Sequence, residues 1–169
     1  MIFVSGSYSG DYSDDRRSLT AEGGQHPYAA IVTCSDSRVI PEIVFSAGIG
    51  DLFIIRSAGN VVDGCTLGSL EYAVGHMGCK LVVVMGHTSC GAIAEAIKDF
   101  HEGHSSEIIN DIRAGIGREE DPTKASCLNI LNSVHIIEED LGERHDVKVI
   151  GALYDIRTGV VDFDFSQKL

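Results

Sequence analysis

Three short runs of residues constrain this chain more than anything else in it: YAAIVT at 28–33, LFIIR at 52–56 and LVVVM at 81–85. Each is apolar, rich in β-branched residues and too short for an ordinary helix, which is the pattern of a strand buried on both faces. Between and after them the apolar residues fall at helical spacing, over 66–77 (TLGSLEYAVGHM) and 92–100 (AIAEAIKDF). Buried strands alternating with helices imply crossover connections, and hence parallel pairing. A longer helical pattern over 124–141 leads into VKVIGALYDI, and Thr158-Gly159 then turns the chain into VVDFDF, which alternates like a half-exposed strand. The expected fold is α/β: a mostly parallel central β-sheet flanked by helices, with an added antiparallel C-terminal strand. Residues 1–24, polar and Gly/Ser-rich with charges clustered at Asp14, Asp15, Arg16 and Arg17, read as an N-terminal arm with at most a short helix. Residues 25–169 read as one domain that carries the chemistry, with 101–123 irregular or weakly helical.

Charge narrows the range of functions. A net charge of −12 and a pI near 4.8 argue against a nucleic-acid partner, because neutralising phosphates needs clustered Lys and Arg and the 13 present are scattered. No apolar run approaches the roughly 20 residues of a spanning helix, and the first residues lack a basic leader followed by a long apolar stretch. No membrane association is expected, and the cytoplasm is the expected location. Five cysteines, an odd number in a chain of 169 residues whose composition is 44% apolar, fit a disulfide framework poorly. Metal binding or catalysis accounts for some of them better.

In open α/β sheets reactive groups collect beyond the carboxyl ends of the strands. Two loops sit there: Cys34-Ser35-Asp36-Ser37-Arg38 after the first run, and Gly86-His87-Thr88-Ser89-Cys90-Gly91 after the third. A lone Cys after a strand is more often a small buried hydrophobe than a ligand, and H-x-x-C alone is weak. Together, however, His87 and Cys90 can offer an imidazole and a thiolate from one loop while Cys34 closes the site from a neighbouring strand. Three protein ligands on Zn²⁺ leave one position open, and open-site zinc lowers the pKa of water by several units. That is hydrolytic or hydration chemistry.

The residues CSDSRV (34–39) and GHTSCGA (86–92), followed through PEIVF, GDLFIIRSAGN, SLEYAVGHMG and LYDIRTG, closely resemble the β-class carbonic anhydrases. The resemblance runs over nearly everything from Gln25 onward. It implies reversible hydration of carbon dioxide to bicarbonate and a proton by zinc-activated water, one Zn²⁺ per subunit, and a homodimer or a tetramer built from dimers. By position, Cys34, His87 and Cys90 resemble the family's metal ligands, and Asp36 with Arg38 its catalytic dyad. Arg38 would hold Asp36 by a two-pronged pair that keeps the carboxylate off the metal and turned toward the activated water. The resemblance further implies substrate-binding roles for Gln25, Phe53, Ala58, Tyr72 and Gly91, some of them across a dimer interface, and a proton relay through Tyr72 and His76. Ordinary core packing is the alternative for Phe53, Ala58 and Tyr72, and a tight turn is the alternative for Gly91.

Cys65, Cys79 and Cys127 match no ligand position and read as buried thiols, while His101 and His104 read as solvated side chains. The absence of Trp argues against the accessory bicarbonate pocket that some members of the family build. Three other readings use the same residues: a zinc hydrolase of another small cumulated substrate such as carbon disulfide, a non-catalytic zinc-binding structural or regulatory protein, and a redox protein using Cys34 and Cys90.

Overall fold

The computed structural model describes residues 2–3, 8–142, 144 and 146–169, with the side chains of Ile2 and Phe3 left aside. The remainder of the expected arm, residues 1 and 4–7, lies outside the described residues. The strands are β1 (Ile2–Phe3), β2 (Ala29–Cys34), β3 (Leu52–Ser57), β4 (Leu81–His87), β5 (Lys148–Asp155) and β6 (Val160–Asp162). The helices are α1 (Asp14–Gly23), α2 (Pro41–Val44), α3 (Gly64–Gly75), α4 (Gly91–Ile97), α5 (Ser105–Ile116) and α6 (Pro122–Leu141). The sheet runs β1-β6-β5-β4-β2-β3. Its four central strands pair in parallel, and β6 is antiparallel to β5. The expected architecture is therefore present.

Three features differ from expectation. Residues 2–3 add an antiparallel strand to β6, so part of the arm joins the sheet. The segment 101–123 contains α5, twelve helical residues that bury Ile109, Ile112 and Ile116. Cys65 is exposed, whereas Cys79 and Cys127 are buried as expected. The physical reason is position: Cys65 falls in the first turn of α3, next to the cap Asp63, where the chain faces solvent.

Strand alternation divides the core. Ala30, Val32, Val82 and Val84 pack under α3 and α6, while Ala29, Ile31, Val83 and Met85 face the segment carrying Val39 and Val44. Two glycines bring α6 close to the sheet. A Cβ at Gly86 in β4 would stand 2.7 Å from Ile130 Cγ1, and one at Gly151 in β5 would stand 2.7 Å from Ile130 Cγ2. Ile130 is thus seated over two side-chain-free positions on adjacent strands. The order β3-β2-β4-β5 means that the chain leaves β2 toward one neighbour and later returns to pair on its other side. The gap beyond the carboxyl ends of β2 and β4 is the switch point where such sheets place their ligands.

Candidate metal centre

Cys34 is the last residue of β2 and His87 the last of β4, so both open into that gap. Ser89 adopts a left-handed conformation (φ 56°), a turn that brings Cys90 back beside His87 before α4 begins at Gly91. Strain of this kind in a residue other than glycine is characteristic of functional loops. The two sulfurs lie 4.0 Å apart. The ligand-capable atoms of Cys34, His87 and Cys90 all fall within 4.8 Å of one another, and the three residues are buried.

The donor set fits a zinc ion. His87 Nδ1 lies 2.9 Å from the Thr88 carbonyl, which fixes the proton on that nitrogen and leaves Nε2 as the electron-pair donor. That Nε2 is buried and has no hydrogen-bond partner, a costly state for a ring nitrogen unless something else uses its lone pair. The cluster also favours positive charge at its centre. The hydrogen bond shared with Cys90 draws the Cys34 pKa down, while the same bond and burial push that of Cys90 up, so the pair gives up one proton readily and the second reluctantly. Burial opposes a charge on His87, but the nearby Cys34 sulfur, the Thr88 carbonyl and the Asp36 carboxylate outweigh it and raise its pKa. Both sulfurs can be thiolates beside a neutral imidazole in this space only with a cation between them.

Asp36 stands at the edge of the cluster, with Oδ2 3.9 Å from His87 Nε2. Arg38 grips both of its oxygens: Nε donates to Oδ1 at 2.9 Å and Nη2 to Oδ2 at 2.6 Å, while the Arg38 backbone N–H donates to Oδ1 at 2.9 Å. This grip holds the Asp36 carboxyl well below the usual carboxylate range. Arg38 Nη2 also donates to the Ser89 carbonyl at 3.2 Å, which ties the two loops together.

Further residues that sequence reasoning did not single out hold the site in shape. Arg56, on β3, donates from Nε to the Cys34 carbonyl and from Nη2 to the carbonyls of Asp36 and Val39, at 3.1, 2.7 and 2.9 Å. Thr88 joins β4 to β5, its N–H donating to the Tyr154 carbonyl and its hydroxyl accepting from the Ile156 N–H. Gly59, in the 3₁₀ turn Ala58–Asn60, donates its N–H to the Cys34 sulfur at 3.3 Å. Only the parallel register β2–β3 could have hinted at Arg56, since it pairs Thr33 with Arg56 beside Cys34.

The expected substrate and relay residues divide into two groups. Ala58 lies in the turn beside Cys34, and Gly91 opens α4 directly after Cys90. Gln25 is exposed and precedes β2, with its Cα 3.9 Å from a Cβ built at Gly50, so it sits at the amino end of the strands. A strand of this length spans about 17–20 Å, which separates Gln25 from the cluster within one chain. Phe53 pairs with Ala30 near the same amino end. Its ring lies 6.2 Å from that of Tyr72, which stacks on His76 at 5.0 Å, and Tyr72 is 45% exposed. His101 and His104 are exposed, and His101 lies 2.7 Å from the Asp99 carboxylate.

A parallel α/β sheet with two thiols and an imidazole gathered at its switch point defines the class: an α/β protein with a site able to hold a metal ion. The family model described as carbonic anhydrase matches residues 29–125, more than half of the chain. The chain belongs to the carbonic anhydrase family, in its β class. It is 49% identical over 90 residues to carbonic anhydrase 2 of Mycobacterium tuberculosis, a match covering 53% of this chain and 42% of that protein. It is 46% identical over 98 residues to the carbonic anhydrase of Mycolicibacterium smegmatis, covering 57% and 47%. The matched part thus spans less than half the length of these curated relatives. Among solved structures, the Coccomyxa β-carbonic anhydrase in complex with acetazolamide superposes with a TM-score of 0.77 at 28% identity, covering 89% of this chain and 78% of that one. A carbon disulfide hydrolase shares the fold at 20% identity.

Proposed function

We propose that this chain catalyses the reversible hydration of carbon dioxide to bicarbonate and a proton, with Cys34, His87 and Cys90 holding one Zn²⁺ per subunit. The observation that carries the reading is the convergence of those three side chains beside an Asp36 carboxylate gripped by Arg38. Bound zinc would supply the Lewis acidity that makes water a nucleophile near neutral pH.

The protein's own groups do the rest. Asp36 stays ionised and fixed, so it accepts a hydrogen bond from the attacking water and turns a lone pair toward the carbon of carbon dioxide. Arg38 makes that orientation the stable one by occupying both carboxylate oxygens. The Gly91 N–H, at the start of α4, would donate to the oxygen on which charge develops. One C–O bond forms, one C=O bond becomes single, and the proton released from water leaves by way of Tyr72 and His76 to solvent. Loss of bicarbonate completes the cycle.

Gln25, Phe53, Tyr72 and His76 can serve a cluster at the carboxyl ends of the strands only if a second copy of the chain brings them there. The grouping of Phe53 with Tyr72 and His76, and the exposure of Gln25, Tyr72 and His76, support a homodimer as the working unit, itself able to pair into a tetramer. Residues 25–169 would form the catalytic domain, with 1–24 as an arm. All five cysteines are free, which supports a reducing compartment, the cytoplasm. No helix among the described residues is long and apolar enough to cross a membrane.

The test is Asp36→Ala. It should retain zinc and the parent's assembly state while hydration of carbon dioxide, followed by stopped flow, falls severely. Turnover equal to the parent's would support a metal site without this chemistry, and hydrolysis of carbon disulfide in place of hydration would redirect the substrate assignment.

A further inference from the structure

The sulfur of Cys34 takes a hydrogen bond from an element that the ligand loops do not contain. Gly59 belongs to the turn Ala58–Asn60, and its N–H reaches Cys34 Sγ at 3.3 Å only because Gly59 is left-handed (φ 66°). A side chain there would be strained, and its Cβ would stand 2.6 Å from Ile112 Cδ1. Such a turn needs an external hold. Asn129 of α6 provides one: Nδ2 donates to the Gly59 carbonyl at 2.8 Å, and Asn129 is 2% exposed. One helical turn later Ser133 donates to the Asn60 carbonyl at 3.3 Å. α6 can reach the turn because Gly86 and Gly151 let Ile130, the residue after Asn129, settle against the sheet.

We propose that Asn129 is a positioning residue for the metal centre, aiming the Gly59 N–H at the Cys34 sulfur and so setting how much charge that thiolate donates to the ion. The proposal rests on the reading of Cys34 as a ligand. A buried asparagine 70 positions from the residue it holds would otherwise be an ordinary packing polar. What distinguishes it is that the peptide it fixes is adjacent to the one that donates to sulfur. A hydrogen bond to a ligand thiolate lowers its electron density without removing it as a ligand, so the ion beneath it remains the stronger Lewis acid.

The test uses the full chain loaded with Co²⁺, whose thiolate-to-metal absorption reports directly on sulfur electron density. Asn129→Leu keeps the volume and removes the donor, and Ser133→Ala removes the neighbouring hydrogen bond on the same buried face. In Asn129→Leu the absorption should move to lower energy, and a competing chelator should strip cobalt at roughly 10- to 100-fold lower concentration. Ser133→Ala should lose some thermal stability and leave the absorption where it was. A folded Asn129→Leu with unchanged absorption and cobalt retention overturns the proposal, as does an equal shift in both variants. Should Asn129→Leu not fold, the parent loaded with ¹¹³Cd decides: spin coupling between the Gly59 amide and cadmium through sulfur is expected, and its absence overturns the proposal. A parent that takes up neither ion defeats the metal assignment itself, a different failure from either of these.

Discussion

Arg38 decides what Asp36 can do. An aspartate next to a metal cluster is a ready fourth ligand, and only the two-pronged grip of the guanidinium keeps both of its oxygens engaged elsewhere. Lysine keeps the charge and cannot make that grip. Arg38→Lys should therefore retain zinc and lose turnover by about 10- to 100-fold in stopped-flow hydration. Turnover equal to the parent's would mean that charge alone suffices. The convergence of Cys34, His87 and Cys90, and the Asp36–Arg38 pair beside them, was legible in the sequence because both loops follow neighbouring parallel strands. The residues that hold them were not. Arg56 acts on carbonyls 17–22 positions away and Asn129 on one 70 positions away, and neither leaves a local pattern.

At the scale of elements, α3 begins on an N-cap whose strength can be measured. The Asp63 carboxylate accepts the Thr66 N–H at 2.8 Å, and hydrogen bonding to Thr66 holds its pKa below the usual value. A pKa lowered by folding stabilises the fold above the unfolded value of 3.8, and that contribution is lost as pH falls through the folded value. Asp63→Ala should cost about 1 kcal/mol in urea unfolding at neutral pH, with the difference from the parent shrinking in acid. An equal difference at both would contradict the cap. The fit of α6 on the sheet is testable too. Gly86→Ala drives a methyl into Ile130 and should cost about 1–3 kcal/mol, part of which Ile130→Val should restore. Strand runs were read correctly because residues buried on both faces leave continuous apolar strings. α5 was missed because glycines and polar residues over 101–123 lower its local helix propensity. Its stability comes instead from Ile109, Ile112 and Ile116, buried in a core shared with Ile93 and Ala96 of α4 and Ala125 of α6.

The whole molecule sets the metal cluster and the aromatic group of Phe53, Tyr72 and His76 at opposite ends of one sheet. If a second copy joins them, assembly and turnover stand or fall together while metal binding does not. Phe53→Asp, a charge placed on that group, should yield a monomer by sedimentation that keeps its zinc and hydrates carbon dioxide poorly. A fully active monomer would show that one chain holds a complete site. Removing zinc should lower the unfolding temperature, because an ion bound only by the folded chain adds stability by mass action. The most direct check of the whole account is zinc content and carbon dioxide hydration measured on one purified sample, before chelation, after it, and after zinc is returned. The expected result is one zinc per chain, with hydration lost and regained in step with the metal. Hydration that persists without zinc, or a folded chain that takes up none when it is supplied, would contradict it.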